Sequence, residues 1–401
     1  MIPTNSSNKL IIAIIPNVFG FTGDAVNERQ LVKHLCKNSK CIVFSFIGIS
    51  KLLRLRKLVA EIYEEGWSKN IVLMPIPLIP PCTIFALIAS LLLTSFIWVL
   101  DKFTKIRLIY VRSSIPALGV TSIKSLAKRI CVKIPAIVED EVLRWRRIIS
   151  FIYNLADRYV LSRAGAIGVP SPLLLKKLIV KRRVLQKGKI VLVPAGIDRE
   201  KIEALKEYPI NYNTKDHYII GFIGYLEWWQ GVDILVKAVA KIKNLLDKPV
   251  KLLIVGDGPE KKRIEALCNE LKIDCHITGF VKHEEALKLL KSLDVLVVPR
   301  RGITNTETII PIKIIEAWAL GVPVIATAHE IFKYMNLRDK EDIIFCEPDP
   351  EDVTDKILLI LKHEEIRSML SKRGTQLAKK YYYDAIAMHI IKVVENNDPN
   401  Y

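Results

Sequence analysis

Short runs of branched apolar residues alternate along this chain with longer segments whose apolar positions recur at helical spacing. In the first half the strand-like runs are LIIAIIP (10–16), CIVFSFIG (41–48), IVLMPI (71–76), IRLIYVR (106–112), AIGVPS (166–171) and IVLVPA (190–195). In the second half they are YIIGFIG (218–224), KLLIVGD (251–257), CHITGFV (275–281), VLVVPR (295–300) and VPVIAT (322–327). Runs that are apolar at every position, separated by helices, predict parallel sheets covered on both faces. A polar stretch at 208–217 reads as a linker, so the pattern predicts an α/β chain of two doubly wound domains, 1–207 and 218–375. A last helix within 376–401 is expected to pack back on the first domain. Ligands of such sheets sit beyond the carboxyl ends of the strands, which are expected to face a cleft between the domains.

Half of the residues are hydrophobic and a quarter are charged, which excludes a disordered chain, and 401 residues suffice for two cores. The charge is unevenly placed. Residues 1–215 hold 34 Lys and Arg against 14 Asp and Glu, whereas the remainder holds 26 against 28. Such a field on the first domain attracts polyanions, either nucleic acid or an anionic membrane surface; a merely solvated basic surface accounts for it equally well. No RNA- or DNA-binding module is recognisable, and the aromatics near the basic runs lie in long apolar contexts, so nucleic acid is disfavoured. Seven cysteines without a Cys-x-x-Cys pair predict neither a disulfide framework nor a zinc site, and favour a reducing compartment. The opening residues lack a basic n-region, and no signal peptide is expected.

Residues 71–100 contain no charged side chain. Pro75, Pro77, Pro80 and Pro81 keep the first third from being helical, but 82–100 can form a helix of roughly 28 Å, about one bilayer core. A true span is not expected, because the flanking runs 71–76 and 106–112 belong to one sheet. The choice lies between a buried crossover helix and an interfacial one. Small residues Ala86, Ser90 and Thr94 form one stripe and large apolar groups cover the rest, with cationic segments nearby at 51–57, 143–153 and 176–183. Monotopic attachment to an anionic membrane surface is the favoured reading.

The densest signal is TIIPIKIIEAWALGVPVIAT (308–327). Pro311 suits the first turn of a helix, and Lys313 then sits among free backbone amides at the helix's positive end. Glu316 lies one turn further on. Gly321 and Pro323 stop the helix before the next strand. A diphosphate carrying a ribose fits this arrangement; the bland alternative is an ordinary helix–strand connection with a surface lysine.

Taken in order, GFIGYLEWWQGVDILVKAVAKI, KLLIVGDGPEKKRIEAL, ITGFVKHEEALKLLKSLDVLVVPR and the 308–327 segment resemble the donor-binding domain of glycosyltransferase family 4. KIVLVPAGID, AIGVPS and the glycine turn of GFTGDAVNERQLVKHL resemble that family's acceptor domain, so the resemblance covers nearly the whole chain. It implies two Rossmann-like domains of the GT-B fold and a retaining, metal-independent transfer from a nucleotide-sugar. No other cofactor is implied, and no Asp-x-Asp cluster suggests a metal. Lys313, Glu316 and Glu307 are the implied catalytic set, with Glu316 on the ribose hydroxyls and Lys313 on the diphosphate. Donor-side residues are Gly23, Gly224, Gln230, Phe280 and Val281 (the last two through main-chain groups on the base) and the amides of Ile314 and Ile315. Arg112, ending the run 106–112, and Asp140, within the acidic knot 139–141, are the acceptor-side candidates; an acidic helix start explains the knot equally well.

The chain departs from the family pattern where its diphosphate cations normally stand. Tyr225 and Gln230 hold those two positions, and Thr308 stands where a first glutamate is usual, with Glu307 beside it. Lys313 is the expected replacement cation. Glu307 is equally well a loop carboxylate without a role, Trp228 and Trp229 are expected to pack at a domain edge, and His283 and His329 are expected to be structural. The resulting expectation is a transferase attached peripherally to the cytoplasmic face of a membrane, acting on a lipid-linked or glycan acceptor. A non-catalytic nucleotide-sugar-binding subunit of a glycan-assembly complex is the alternative.

Overall fold

The computed structural model describes residues 10–16, 18, 23–48, 54–64, 66–67, 70–78, 82–137, 147–183, 188–207, 216–242, 245–302 and 308–396. The chain divides into two compact units, Met1–Gly196 with Tyr383–Tyr401, and Ile197–Tyr382. The division therefore falls at Gly196/Ile197 and Tyr382/Tyr383, not at the 208–217 stretch or at 376. The helix Arg199–Glu207 goes with the second unit because Lys291 Nζ donates to the carbonyls of Leu205 (2.7 Å) and Lys206 (2.8 Å).

The first unit is a seven-stranded parallel sheet in the order β3-β2-β1-β4-β5-β6-β7. Its strands are β1 (Leu10–Ile15), β2 (Lys40–Gly48), β3 (Ile71–Leu78), β4 (Ile106–Arg112), β5 (Ile130–Lys133), β6 (Ala166–Val169) and β7 (Lys189–Leu192). Every residue of β1 is buried, and its side chains alternate between two cores. Ile11, Ala13 and Ile15 join Leu31, Leu35 and the C-terminal residues Ile386 and Ile390. Ile12 and Ile14 join Ile97, Val120 and Leu161 on the opposite face. Each such buried side chain is worth about 1.5–3 kcal/mol, which is why the apolar runs need no polar alternation. Pro75 and Pro77 are tolerated because β3 is an edge strand. The helix Tyr383–Glu395 completes this unit, with Arg107 Nε 2.6 Å from Glu395.

The pattern of apolar runs contained no counterpart of β5, which has four residues and ends in Lys133; that lysine is buried on a partner carboxylate and not exposed. A disulfide joins Cys36 to Cys41 across the turn from the helix Gly23–Leu35 into β2, with Cα atoms 5.7 Å apart. The sequence spacing gave no reason to expect it, because the pair is brought together by that turn.

The apolar segment forms the helix Cys82–Phe103, and no helix among the described residues is long and apolar enough to cross a membrane. Ser90 and Thr94 of its small stripe are buried: Ser90 Oγ donates to the Pro116 carbonyl (2.9 Å) and Thr94 Oγ1 to the Ser90 carbonyl (2.7 Å). The contact is with the helix Ser114–Ser122, where a Cβ on Gly119 would lie 2.2 Å from Thr94 Oγ1. The opposite stripe, including Ile88, Leu91, Leu92, Val99 and Phe103, is exposed.

The second unit is a six-stranded parallel sheet in the order β10-β9-β8-β11-β12-β13. It comprises β8 (Tyr218–Ile223), β9 (Val250–Val255), β10 (Cys275–Ile277), β11 (Val295–Val298), β12 (Val324–Thr327) and β13 (Ile344–Cys346). β13 was not among the apolar runs; it lies between the charged stretches 338–342 and 347–352. Both sheets have the doubly wound order in which the connection reverses beside the first strand.

Candidate functional site

In the second unit the strand order reverses between β8 and β11, and open parallel sheets bind ligands beyond the carboxyl ends at that point. Three segments deliver side chains there. β8 runs through Gly224 towards a 3₁₀ turn, Trp228–Gln230. β11 runs through Pro299 into Arg300 and Arg301. The helix Ile312–Leu320 starts from Pro311, which occupies the N-cap and not the first turn.

Lys313 is buried, with Nζ 3.3 Å from Gln230 Oε1 and 4.1 Å from the centre of the Phe222 ring. Arg300 Nε donates to the same Gln230 oxygen at 3.2 Å. Gly224 has φ +141° and a Cβ there would lie 2.5 Å from Lys313 Nζ, so the amine occupies the room that a side chain would take. Burial holds the Lys313 ammonium well below the ordinary lysine value; neighbouring Arg300 adds to the shift and Glu316 opposes it. Burial pushes Arg300 down to about 10. Two desolvated cations thus share one neutral amide oxygen, which does not offset their charge.

The segment carrying Arg300 is clamped by its neighbour. Arg301 makes paired hydrogen bonds to Asp233 at 2.9 and 2.8 Å and donates to the Trp228 carbonyl at 2.7 Å. Burial works to raise the Asp233 carboxyl, but the Arg301 hydrogen bonds outweigh it and hold it below the usual range. Arg300 lies over the Trp229 ring and Arg301 over Trp228, 5.0 and 5.1 Å from the centroids. The two tryptophans are therefore seats for guanidinium groups.

Glu316 is buried one turn beyond Lys313 and its Oε1 lies 2.7 Å from His283 Nε2. His283, expected to be structural, opens the helix His283–Lys291 one residue after the Phe280–Val281 segment. Its pKa is raised by the hydrogen bond to Glu316. The Phe280 side chain is exposed and Val281 is half-buried. Ile314 and Ile315 have fully buried side chains, and the Ile314 amide donates to the Pro311 carbonyl at 3.0 Å. That amide is committed to the helix start and is not open to a diphosphate, contrary to expectation.

Of the other sequence candidates, Gly23 opens the helix Gly23–Leu35 in the first unit. Arg112 ends β4 with Nε 3.5 Å from the buried carboxylate of Glu28. Glu307 and Asp140 lie outside the described residues, as do the turn residues 19–22. Sequence reasoning missed Arg300; its signal was its place just past the end of an apolar run in the last strand before the Lys313 motif.

The two parallel sheets define the GT-B fold of glycosyltransferases. A solved glycosyltransferase from Rickettsia africae superposes with a TM-score of 0.67 at 17% identity, covering 98% of this chain and 100% of that one. Anabaena HepE, solved in complex with UDP and glucose, superposes with a TM-score of 0.63 at 13% identity over 97% of this chain and 100% of its own. Residues 206–377 match the family described as glycosyl transferases group 1. An uncharacterized glycosyltransferase of Methanocaldococcus jannaschii is 23% identical over 238 residues, 58% of this chain and 56% of that protein. The phosphatidyl-myo-inositol mannosyltransferase of Mycobacterium leprae is 26% identical over 210 residues, 51% of this chain and 53% of that protein. The chain spans about half the length of the curated relatives it matches.

Proposed function

We propose that the protein is a retaining, metal-independent glycosyltransferase of the family 4 type, moving a sugar from a nucleotide-sugar donor to a lipid-linked or glycan acceptor. The observation that carries the reading is a buried cation, Lys313, and a half-buried one, Arg300, on one amide oxygen at the reversal of the second sheet. A donor diphosphate suits their charge and their place. The leaving nucleoside diphosphate gains negative charge as the glycosidic bond breaks, so preorganised cations favour that state over the bound donor. In this reading Glu316, hydrogen-bonded to His283, takes the ribose hydroxyls. The leaving phosphate can accept the proton of the attacking hydroxyl on the same face of the sugar, which leaves no need for a protein base. The Rickettsia and Anabaena likenesses support the fold, and the group 1 match over residues 206–377 supports the donor side.

Attachment to the cytoplasmic face of a membrane is part of the proposal. It is supported by the exposed apolar stripe of the helix Cys82–Phe103 and by the positive excess of residues 1–215. The test is transfer of radiolabelled sugar from UDP-, GDP- and ADP-sugars into a membrane lipid extract, with and without EDTA. Chloroform-soluble product from one donor, unaffected by EDTA, is expected. Failure of every donor, alongside nucleotide binding by calorimetry, would leave a soluble glycan acceptor or a non-catalytic nucleotide-sugar-binding subunit.

A further inference from the structure

We infer that Lys313 gives up its proton in the empty site and takes one back when a nucleoside diphosphate binds, so that nucleotide binding is coupled to proton uptake. That the ligand is a donor nucleotide rests on the transferase reading; the state of the amine rests on what surrounds it.

Lys313 is 8% exposed, and the elements packed against its Nζ bring it little counter-charge. β8 supplies the Phe222 ring at 4.1 Å and the backbone at Gly224, where the missing side chain leaves the amine its room. The ring face favours a cation, but only weakly against the loss of water. The 3₁₀ turn Trp228–Gln230 supplies Gln230 Oε1 at 3.3 Å, an oxygen that already accepts from Arg300 at 3.2 Å. The end of β11 supplies that guanidinium, a like charge. On its own helix stands Glu316, whose Oε1 is engaged by His283 at 2.7 Å. Asp233 is closed off by its paired bonds to Arg301. Among the described residues no carboxylate stands in ion-pair contact with the Lys313 amine.

Loss of water disfavours the charged form of an amine, and a like charge beside it does so again. Both act on Lys313 and hold it well below the ordinary lysine value, with Glu316 opposing them. Arg300, pushed down by burial to about 10, keeps its proton at neutral pH, so the amine is the group that yields. A diphosphate reverses the balance. Its oxygens bring negative charge to the amine, which favours the ammonium form. The amine takes one proton from the buffer acid, –NH₂ becoming –NH₃⁺, and no other bond changes. Positive and negative charge thus enter the pocket together, and the empty site is spared the repulsion between Lys313 and Arg300.

The experiment is calorimetry of the full chain with UDP, GDP and ADP between pH 6 and 10, each in two buffers of different ionisation enthalpy. The dependence of the heat on the buffer counts the protons exchanged. Uptake in the wild type should pass through a maximum approaching about one proton per bound nucleotide. The terminal phosphate of the ligand, with a second pKa of about 6, and His283, raised by Glu316, also exchange protons towards the acid end. Lys313→Arg and His283→Gln are therefore titrated in parallel, and circular dichroism checks their fold. Uptake above pH 7 should persist in His283→Gln and vanish in Lys313→Arg, whose guanidinium stays protonated throughout. Uptake that survives in Lys313→Arg, or nucleotide binding without uptake at any pH, would overturn the coupling and leave the donor reading intact. If Lys313→Arg no longer binds, wild-type affinity between pH 7 and 10 decides. A fall of up to about tenfold per pH unit supports the coupling, and constant affinity overturns it. Absence of binding by all three nucleotides would overturn the donor reading and the coupling with it.

Discussion

Replacing Lys313 with methionine should move stability and activity in opposite directions. The amine is surrounded by the Phe222 ring, Gln230 Oε1 and Arg300, so it is a desolvated charge with a like charge as its neighbour. Exchanging poorly compensated buried charge for an apolar group of similar length is typically neutral or stabilising by about 1–4 kcal/mol. Losing a preorganised cation from the transition state, in contrast, costs about 2.7–4 kcal/mol, or roughly 10²–10³ in kcat. The pH dependence has a definite sign. The folded pKa of Lys313 lies below the unfolded one, so the wild type gains stability as pH rises from the folded value towards about 10.4. The advantage of Lys313→Met should therefore shrink over that window. Scanning calorimetry between pH 6 and 10 and single-turnover sugar transfer read the two effects. A variant that melts well below wild type at pH 6–7, or one that transfers at the wild-type rate, would refute the assignment of Lys313 as a ligand cation held at the expense of the fold.

Gly224→Ala places a methyl group where Lys313 Nζ lies and forces φ +141° on a residue with a Cβ; nucleoside diphosphate affinity by calorimetry should fall at least tenfold, and wild-type affinity would contradict the placement of the amine. The raised pKa of His283 means that its bond to Glu316 stabilises fully below the unfolded value of about 6.5 and is lost as pH rises through the folded one. His283→Gln should thus lower Tm at pH 5.5 and match wild type at pH 9, and an equal deficit at both would exclude the ion pair as its cause. Leu92→Ser and Phe103→Ser remove exposed apolar groups of the helix Cys82–Phe103; each should weaken flotation with anionic vesicles by about tenfold, as burial of such a side chain is worth about 1.5–3 kcal/mol. Unchanged flotation in the double variant would remove the membrane proposal.

The parallel sheets were legible because β1, β4, β8 and β11 are buried on both faces, and burial of that kind leaves a continuous apolar run. β5 and β13 were not, since Lys133 ends the first in a charge and the second lies between the charged stretches 338–342 and 347–352. Lys313 was legible as a cation near a helix start. Its burial was not, because that depends on Gly224 leaving space from a strand nearly ninety residues earlier in the chain. Arg300 and His283 escaped for the same reason: each acts through a partner, Gln230 or Glu316, that only the folded sheet brings near. The expected use of the Ile314 amide failed because the sequence marks where a helix begins but not which of its first amides is already bonded.

The placement of the helix Tyr383–Glu395 has a consequence for biosynthesis. Ile386 and Ile390 belong to the core that covers one face of β1, so the first unit cannot seal that face until residues 383–395 have been made. The second unit, Ile197–Tyr382, is continuous in sequence and complete before then. Vectorial synthesis ordinarily lets the N-terminal domain fold first. Here the order inverts: the unit begun first is finished last, and on the ribosome its half-covered sheet, with β1 exposed, is the species that a chaperone would have to shield.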